Sequence, residues 1–209
     1  MRDIFGPGSN VGERHVESYE DLEEKVSACR KLGMKIVLTS GSWDMLHVGH
    51  CRYFENAKMA IGDPDKTVLV IGVDSDAKVR RKKGQNRPVV PQKERLEMVC
   101  HTRHADLVVL KEDTDEKWKL IKTVRPDVLI ASERTDYTEE EKAELSVYCG
   151  EVMVLKSQAE TSTSAKIRLL VVGITQEFKE SFLELSTNMK NNLDQFSEII
   201  DRFGGGGHK

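Results

Sequence analysis

Apolar and polar residues follow one another along this chain in blocks whose period switches between that of a strand and that of a helix. Short apolar, β-branched runs occur at "KIVLTS", "KTVLVIGVDS", "ADLVVLKE", "PDVLIASE" and "EVMVLKS". Such runs belong to strands buried on both faces, as in parallel sheets. Around and between them stand segments with helical spacing: "SYEDLEEKVSACRKLG", "HCRYFENAKMAIG", "PQKERLEMVCHT", "DEKWKLIKTVR" and "TEEEKAELSVYCG". In the first, Ser18 is placed to cap, Leu22, Val26 and Leu32 form the apolar side, and Gly33 ends the helix. Pro91 opens the third near its first turn. Strand and helix alternate without a hairpin signal, as parallel pairing requires. The pattern predicts an α/β protein with a doubly wound, parallel, five-stranded sheet, an N-terminal helix and a long C-terminal helix.

Boundaries follow from the same pattern. Residues 1–17 read as a flexible arm, 18–170 as the α/β domain, 171–203 as the C-terminal helix and 204–209 as a flexible tail. Along that helix Phe178, Phe182, Leu185, Met189, Leu193, Phe196, Ile200 and Phe203 recur at steps of three and four, an apolar stripe opposite Lys, Glu, Asn and Asp. The steps drift from a strict heptad, which argues against a long regular coiled coil. A stripe of this kind has to meet another surface. Its own domain is one candidate; a second copy is the expectation, giving a homodimer with a site in each subunit.

Composition narrows the class. The 209 residues are 38% hydrophobic and 32% charged, with no apolar run near the roughly 18 residues of a membrane span and no signal-peptide core at the start. The four cysteines, Cys29, Cys51, Cys100 and Cys149, are far apart and read as reduced thiols in a cytoplasmic protein, Cys51 as a small core residue. A net charge of -3 gives no general attraction to nucleic acid, and neither nucleic acid nor membrane is expected as a partner.

"TSGSWDMLHVGH", Thr39 to His50, stands where the first strand turns into a helix. Ligands of doubly wound sheets bind at such carboxyl ends. Gly41 allows close approach of a phosphate, Ser42 and Trp43 can offer backbone N–H groups, and Asp44 can brace the turn. His47 and His50, with Gly49 between them, share one helical face and can point at one spot. Two imidazoles and helix amides suit a phosphoryl group. Zinc fits less well, since its helical pairs prefer i, i+4 spacing with a third ligand, and no protein metal ligand is assigned.

"GSWDMLHVGH" resembles the signature of the nucleotidyltransferase superfamily with the HxGH motif, Trp43 standing where phenylalanine is usual. "VDSD" followed by Lys83, Gly84, Arg87, Pro88, Pro91 and Arg95 is similar to a pattern of the heptose-phosphate adenylyltransferase branch. "ETSTSAKIRLL" resembles the segment that opens the helix after the last strand in that family. The resemblance implies that His47, His50 and Lys83 stabilise the phosphates of a nucleoside triphosphate. It implies that Gly41, Ser42, Trp43, Asp44, Gly49, Ser162, Thr163 and Ser164 line the nucleotide. Arg87, Arg95 and Asp136 would contact substrate, and Mg²⁺ would accompany the triphosphate. The charge run Arg80 to Lys83 reads as a loop beside an anion, held by the rigid "RPVVP". One departure stands out: "IASERTDY" has Ser132, Glu133 and Arg134 where the branch has glycines.

The implied reaction joins an NTP, with ATP first choice, to a phosphorylated sugar or polyol and releases pyrophosphate. CTP with glycerol phosphate or a related alcohol phosphate is the alternative, and FAD synthesis a third. A non-catalytic nucleotide-binding scaffold is the reading from another class, and retention of His47, His50 and Lys83 weighs against it.

Overall fold

The computed structural model describes residues 11–133, 135, 137–156, 158 and 163–204. A short helix, α1 (Val11–Arg14), leads into strand β1 (His15–Val16), then α2 (Tyr19–Lys31), β2 (Lys35–Gly41) and α3 (Val48–Lys58). A 3-10 turn (Pro64–Lys66) precedes β3 (Thr67–Asp74), α4 (Asp76–Lys83) and α5 (Gln92–Cys100). Strand β4 (Leu107–Lys111), α6 (Lys119–Val124), β5 (Val128–Ser132), α7 (Glu139–Leu145) and β6 (Glu151–Leu155) complete the α/β unit, and α8 (Thr163–Gly204) follows.

All pairings are parallel, in the order β1-β4-β3-β2-β5-β6. The chain builds outward from β2 to β3 and β4, then crosses back to place β5 on the other side of β2. That reversal puts the carboxyl end of β2 at the topological switch point. Strand periodicity divides the core into two layers. Ile36, Leu38, Val68, Val70, Leu107 and Val109 face α2 and α6, while Val37, Leu69, Ile71, Val73 and Val108 face α3 and α5.

Local signals explain the helices. Ser18 Oγ accepts from the N–H of Asp21, acidic residues fill the first turn of α2 and basic ones the last. Leu22, Val26 and Cys29 form its buried side. Leu32, expected there, is instead the C-cap and 78% exposed, because Gly33 at φ 79 turns the chain away.

The five-strand expectation falls one short. The sixth strand is β1, inside the stretch read as a flexible arm: His15 and Val16 pair with Val108 and Val109. Arg14, buried, donates to the carbonyls of Cys100 (3.0 Å) and Thr102 (2.8 Å), tying this segment to the end of α5. Residues 1–10 and 205–209 lie outside the described residues. Arg80 to Lys83 form the last turn of α4 rather than a loop. Cations there complement the helix C-terminus, which accounts for part of the run without a ligand. The described cysteines are free thiols; Cys51 is exposed on α3 and not a core residue.

The chain divides after Thr163 into two units, the second being residues 164–209. Its described part is the remainder of α8, one continuous helix where the sequence suggested a boundary at 170/171. No helix among the described residues is long and apolar enough to cross a membrane.

Gly150, ahead of β6, has no room for a side chain, since a Cβ would stand 2.6 Å from the backbone oxygen of Asp127. Gly150→Ala should destabilise the α/β unit by about 1–3 kcal/mol, the usual range for overpacking. Urea denaturation monitored by tryptophan fluorescence checks this, and an unchanged midpoint would refute it.

Candidate active site

The loop after β2 is shaped by its aromatic residue. Trp43 is buried, and its Nε1 donates to the Gly72 carbonyl at 2.9 Å. A Cβ on Gly41 would meet the indole at 3.1 Å, so this glycine makes space for Trp43. Phe54 packs edge-on at 4.7 Å and His50 at 5.6 Å between ring centroids. Trp43 and Met45 take left-handed backbone angles, φ 47 and 52, a costly conformation for side chains of this size.

Asp44 holds the next layer. Buried, its carboxylate accepts from the N–H of Val89 (3.1 Å) and of Val90 (3.0 Å), and pairs with Arg87 at 3.1 Å. The "RPVVP" segment is therefore fastened to the motif loop. Arg95 completes the fastening. Its side chain is 1% exposed; Nε donates to the Val90 carbonyl (2.9 Å), one terminal nitrogen to the Ser42 carbonyl and the other to Asp76 (2.8 Å). With all three nitrogens engaged inside the protein, Arg95 braces the loop. Arg87, 17% exposed, is paired with Asp44 and lies beside Lys83, whose amine burial, and then the Arg87 charge, hold below its ordinary range.

The two histidines meet at the start of α3. His47 is the N-cap, its Nδ1 accepting from the N–H of Gly49 at 3.1 Å, while His50 Nδ1 accepts from the N–H of His47 at 3.3 Å. The rings lie 4.0 Å apart between centroids. With Nδ1 used as an acceptor, each neutral ring carries its proton on Nε2 and can donate from there. Burial first, then the charges of His47 and Lys83, push His50 down to about 4. It is a neutral donor at pH 7. Lys83 Nζ donates to Ser42 Oγ at 2.7 Å, which brings the end of α4 to the same loop. Gly84 at φ 94 ends that helix and lets the chain turn.

Gly41, Ser42, Trp43, Asp44, His47, Gly49, His50, Lys83, Arg87 and Arg95 thus form one connected set at the carboxyl edge of the sheet. Asp136 and Ser162 lie outside the described residues, and Thr163 and Ser164 are described only as the first backbone positions of α8. Four residues at the same edge were given no role by the sequence reading. Asp74 and Lys111 end adjacent strands, Ser40 is the last residue but one of the third, and Asp76 anchors Arg95. A carboxylate at the last position of a buried strand, as in "VIGVD", was the available signal for Asp74.

A helix N-terminus, two imidazole donors and a lysine around one loop at the switch point define a nucleotide-handling α/β protein of the nucleotidyltransferase type. The chain belongs to the cytidylyltransferase-like family, whose model matches residues 38–181. It is 40% identical over 157 residues to the bifunctional protein HldE of Cronobacter sakazakii, covering 73% of this chain and 31% of that one. HldE of Nitratiruptor sp. is 40% identical over 118 residues, 56% of this chain and 24% of the relative. The chain therefore spans a quarter to a third of these curated relatives' length. Among solved structures it is similar to the lipopolysaccharide core biosynthesis protein of Thermoplasma volcanium, with TM-score 0.52 and 25% identity over 61% of this chain and 100% of that one.

The low value for His50 is testable. An unfolded imidazole takes its proton near 6.5 and the folded one near 4, so folding favours the neutral ring. Its contribution to stability is whole above pH 6.5 and is lost as the pH falls towards 4. NMR titration of the histidine ring resonances should show His50 neutral at pH 5.5. A midpoint near 6.5 would contradict the buried, hydrogen-bonded arrangement.

Proposed function

We propose that this chain transfers a nucleotidyl group, preferentially from ATP, to the phosphate of a sugar or polyol phosphate. The observation that carries the reading is the pair of Nε2 donors on His47 and His50 at the head of α3, with Lys83 beside them on Ser42. An acceptor phosphate oxygen attacks the α-phosphorus; that O–P bond forms as the bond to the β-phosphate oxygen breaks, and pyrophosphate carries away the electron pair. No proton need be removed, because the attacking phosphate is already ionised at neutral pH. The protein aligns two anions and neutralises the charge that develops. The imidazoles donate from Nε2 to the α- and β-phosphoryl oxygens, and Lys83 supplies positive charge.

Magnesium enters this scheme with the nucleotide. Among the described residues no group of three His, Cys, Asp or Glu side chains could cage an ion, and Mg²⁺ usually binds through substrate phosphates and water. When bound to the triphosphate it would neutralise the leaving pyrophosphate. ATP is preferred because the relatives at 40% identity are HldE proteins and "KGQNRPVVP" resembles the heptose-phosphate adenylyltransferase pattern. The family's cytidylyltransferase-like description favours CTP with an alcohol phosphate as the second reading. A cytoplasmic setting suits free thiols and phosphorylated metabolites.

Pyrophosphate release measured with each NTP, Mg²⁺ and a panel of sugar and polyol phosphates tests the proposal. His50→Ala should lower turnover by roughly 100-fold or more, the cost of losing one charge-stabilising donor. EDTA should abolish the reaction. Full activity in both His50→Ala and His47→Ala would place the chemistry elsewhere.

The homodimer remains part of the proposal. Phe178, Phe182, Leu185, Met189, Phe196, Ile200 and Phe203 of α8 are each more than half exposed, Phe203 by 85%. A stripe of this kind needs a covering surface, and a second copy supplies it, helix to helix or helix across the partner. Truncation after Gly173 should convert a dimer to a monomer or to aggregates in multi-angle light scattering. A full-length chain that is monomeric at micromolar concentration refutes this.

A further inference from the structure

A second polar cluster lies at the carboxyl edge of the sheet, on the face covered by α2 and α6. Strand alternation carries Ile36 and Leu38 to Ser40, Val68 and Val70 to Gly72 and Asp74, and Leu107 and Val109 to Lys111, all on that face. Asp74 and Lys111 are register partners. Gly72 keeps the three strand ends close: a Cβ there would stand 2.7 Å from Lys111 Cδ and 3.0 Å from Ser40 Cβ.

The hydrogen bonding of this cluster is incomplete. The Asp74 side chain is 8% exposed, and its Oδ2 accepts from Lys82 Nζ at 3.2 Å. Lys111 Nζ donates one of its hydrogens to Ser40 Oγ at 2.9 Å and forms an ion pair with Asp74 Oδ1 at 3.6 Å, too long for a hydrogen bond. That Oδ1 is buried and accepts no hydrogen bond among the described residues. Buried carboxylate oxygens are costly to leave without a donor. Burial would raise the Asp74 carboxyl, but Lys111 and Lys82 outweigh it and hold the group below its ordinary range. It is therefore an ionised acceptor, able to receive a donor only. Lys78 adds a third ammonium nearby, held on the Glu112 carbonyl at 3.0 Å. Lys111, Lys82 and Lys78 all bear on this one carboxylate.

We infer that Ser40, Asp74, Lys82 and Lys111 bind the acceptor, a phosphorylated polyol whose hydroxyl donates to Asp74 Oδ1 while the lysines balance its phosphate. The inference rests on the nucleotidyltransferase reading and adds to it a place and a chemistry for the second substrate. Lys82 and Lys83 are consecutive on α4, and they reach Asp74 and Ser42 respectively. The acceptor would thus lie on one side of that helix end and the triphosphate on the other. A hydroxyl-bearing ester is favoured over inorganic phosphate, because its alcohol can donate to Oδ1 while its phosphate keeps the lysines.

Two measurements decide it. In steady state, Asp74→Asn and Lys111→Met should each raise KM for the acceptor about ten-fold or more, the worth of one charged hydrogen bond, with KM for the nucleotide within two-fold. Lys35→Gln, at the opposite end of β2, serves as the control with unchanged kinetics. Equal loss for both substrates, or no change in either, overturns the assignment. The second measurement does not need turnover. Titration of ¹⁵N-labelled protein with glycerol 3-phosphate and with mannose 1-phosphate should shift the amides of Ser40, Asp74 and Lys111, and Lys111→Met should abolish the shifts. Inorganic phosphate should perturb these amides less than either ester. Shifts confined to residues 47–50 and 83, or an equal response to inorganic phosphate, refute the polyol site. Failure of pyrophosphate release with every NTP would sink the nucleotidyltransferase reading alone, leaving the amide shifts to judge the cluster.

Discussion

A carboxylate removed from water must be met by donors on every side, and Asp44 is the one on which this site depends. It sits in the turn between the central strand and α3, and its donors come from a segment more than forty positions later: the backbone of Val89 and Val90 and the side chain of Arg87. Loss of such a carboxylate would leave Arg87 and two amides without partners at once, a cost that a single broken pair does not carry. Arg95 repeats the principle from the other direction, a buried cation spread over Val90, Ser42 and Asp76. Together they fix the distance between the histidine-bearing helix and the lysine-bearing one. The left-handed angles at Trp43 and Met45 persist because this network over-determines the loop.

The electrostatics divide labour by residue type. The imidazoles are donors whose geometry is set by their own capping hydrogen bonds, His50 in its neutral form, and lysine adds positive charge. Burial lowers the affinity of both His50 and Lys83 for protons. For histidine that leaves the neutral ring, with Nε2 carrying the proton. For lysine a bound phosphate would offset that lowering, since a nearby anion favours the charged form.

Much of this was legible beforehand, for reasons that differ by residue. The strands at 35–41, 67–74, 107–111, 128–132 and 151–155 announce themselves because a doubly covered sheet needs continuous β-branched runs. His47 and His50 drew attention by their spacing and Lys83 through the resemblance, and the structure brings all three to one loop. Strand β1 was not legible, since two residues cannot show a period. The bracing contacts of Arg95 were not legible, because an arginine in a motif looks the same whether it meets a ligand or a backbone carbonyl. The helical nature of Arg80 to Lys83 was hidden by charge, as those side chains contribute no apolar face. Ser40, Asp74 and Lys111 belong to three separate strands, and only pairing in register brings them together.

The last turn of α4 has a mechanical consequence. Adjacent residues on a helix project about 100° apart, so the amines of Lys82 and Lys83 leave it in different directions. One reaches Asp74 and the other Ser42, across the ends of two neighbouring strands. Ser75, whose hydroxyl accepts from the N–H of Lys78, opens this short helix and Gly84 closes it, so one capped turn presents two amines to two different acceptors.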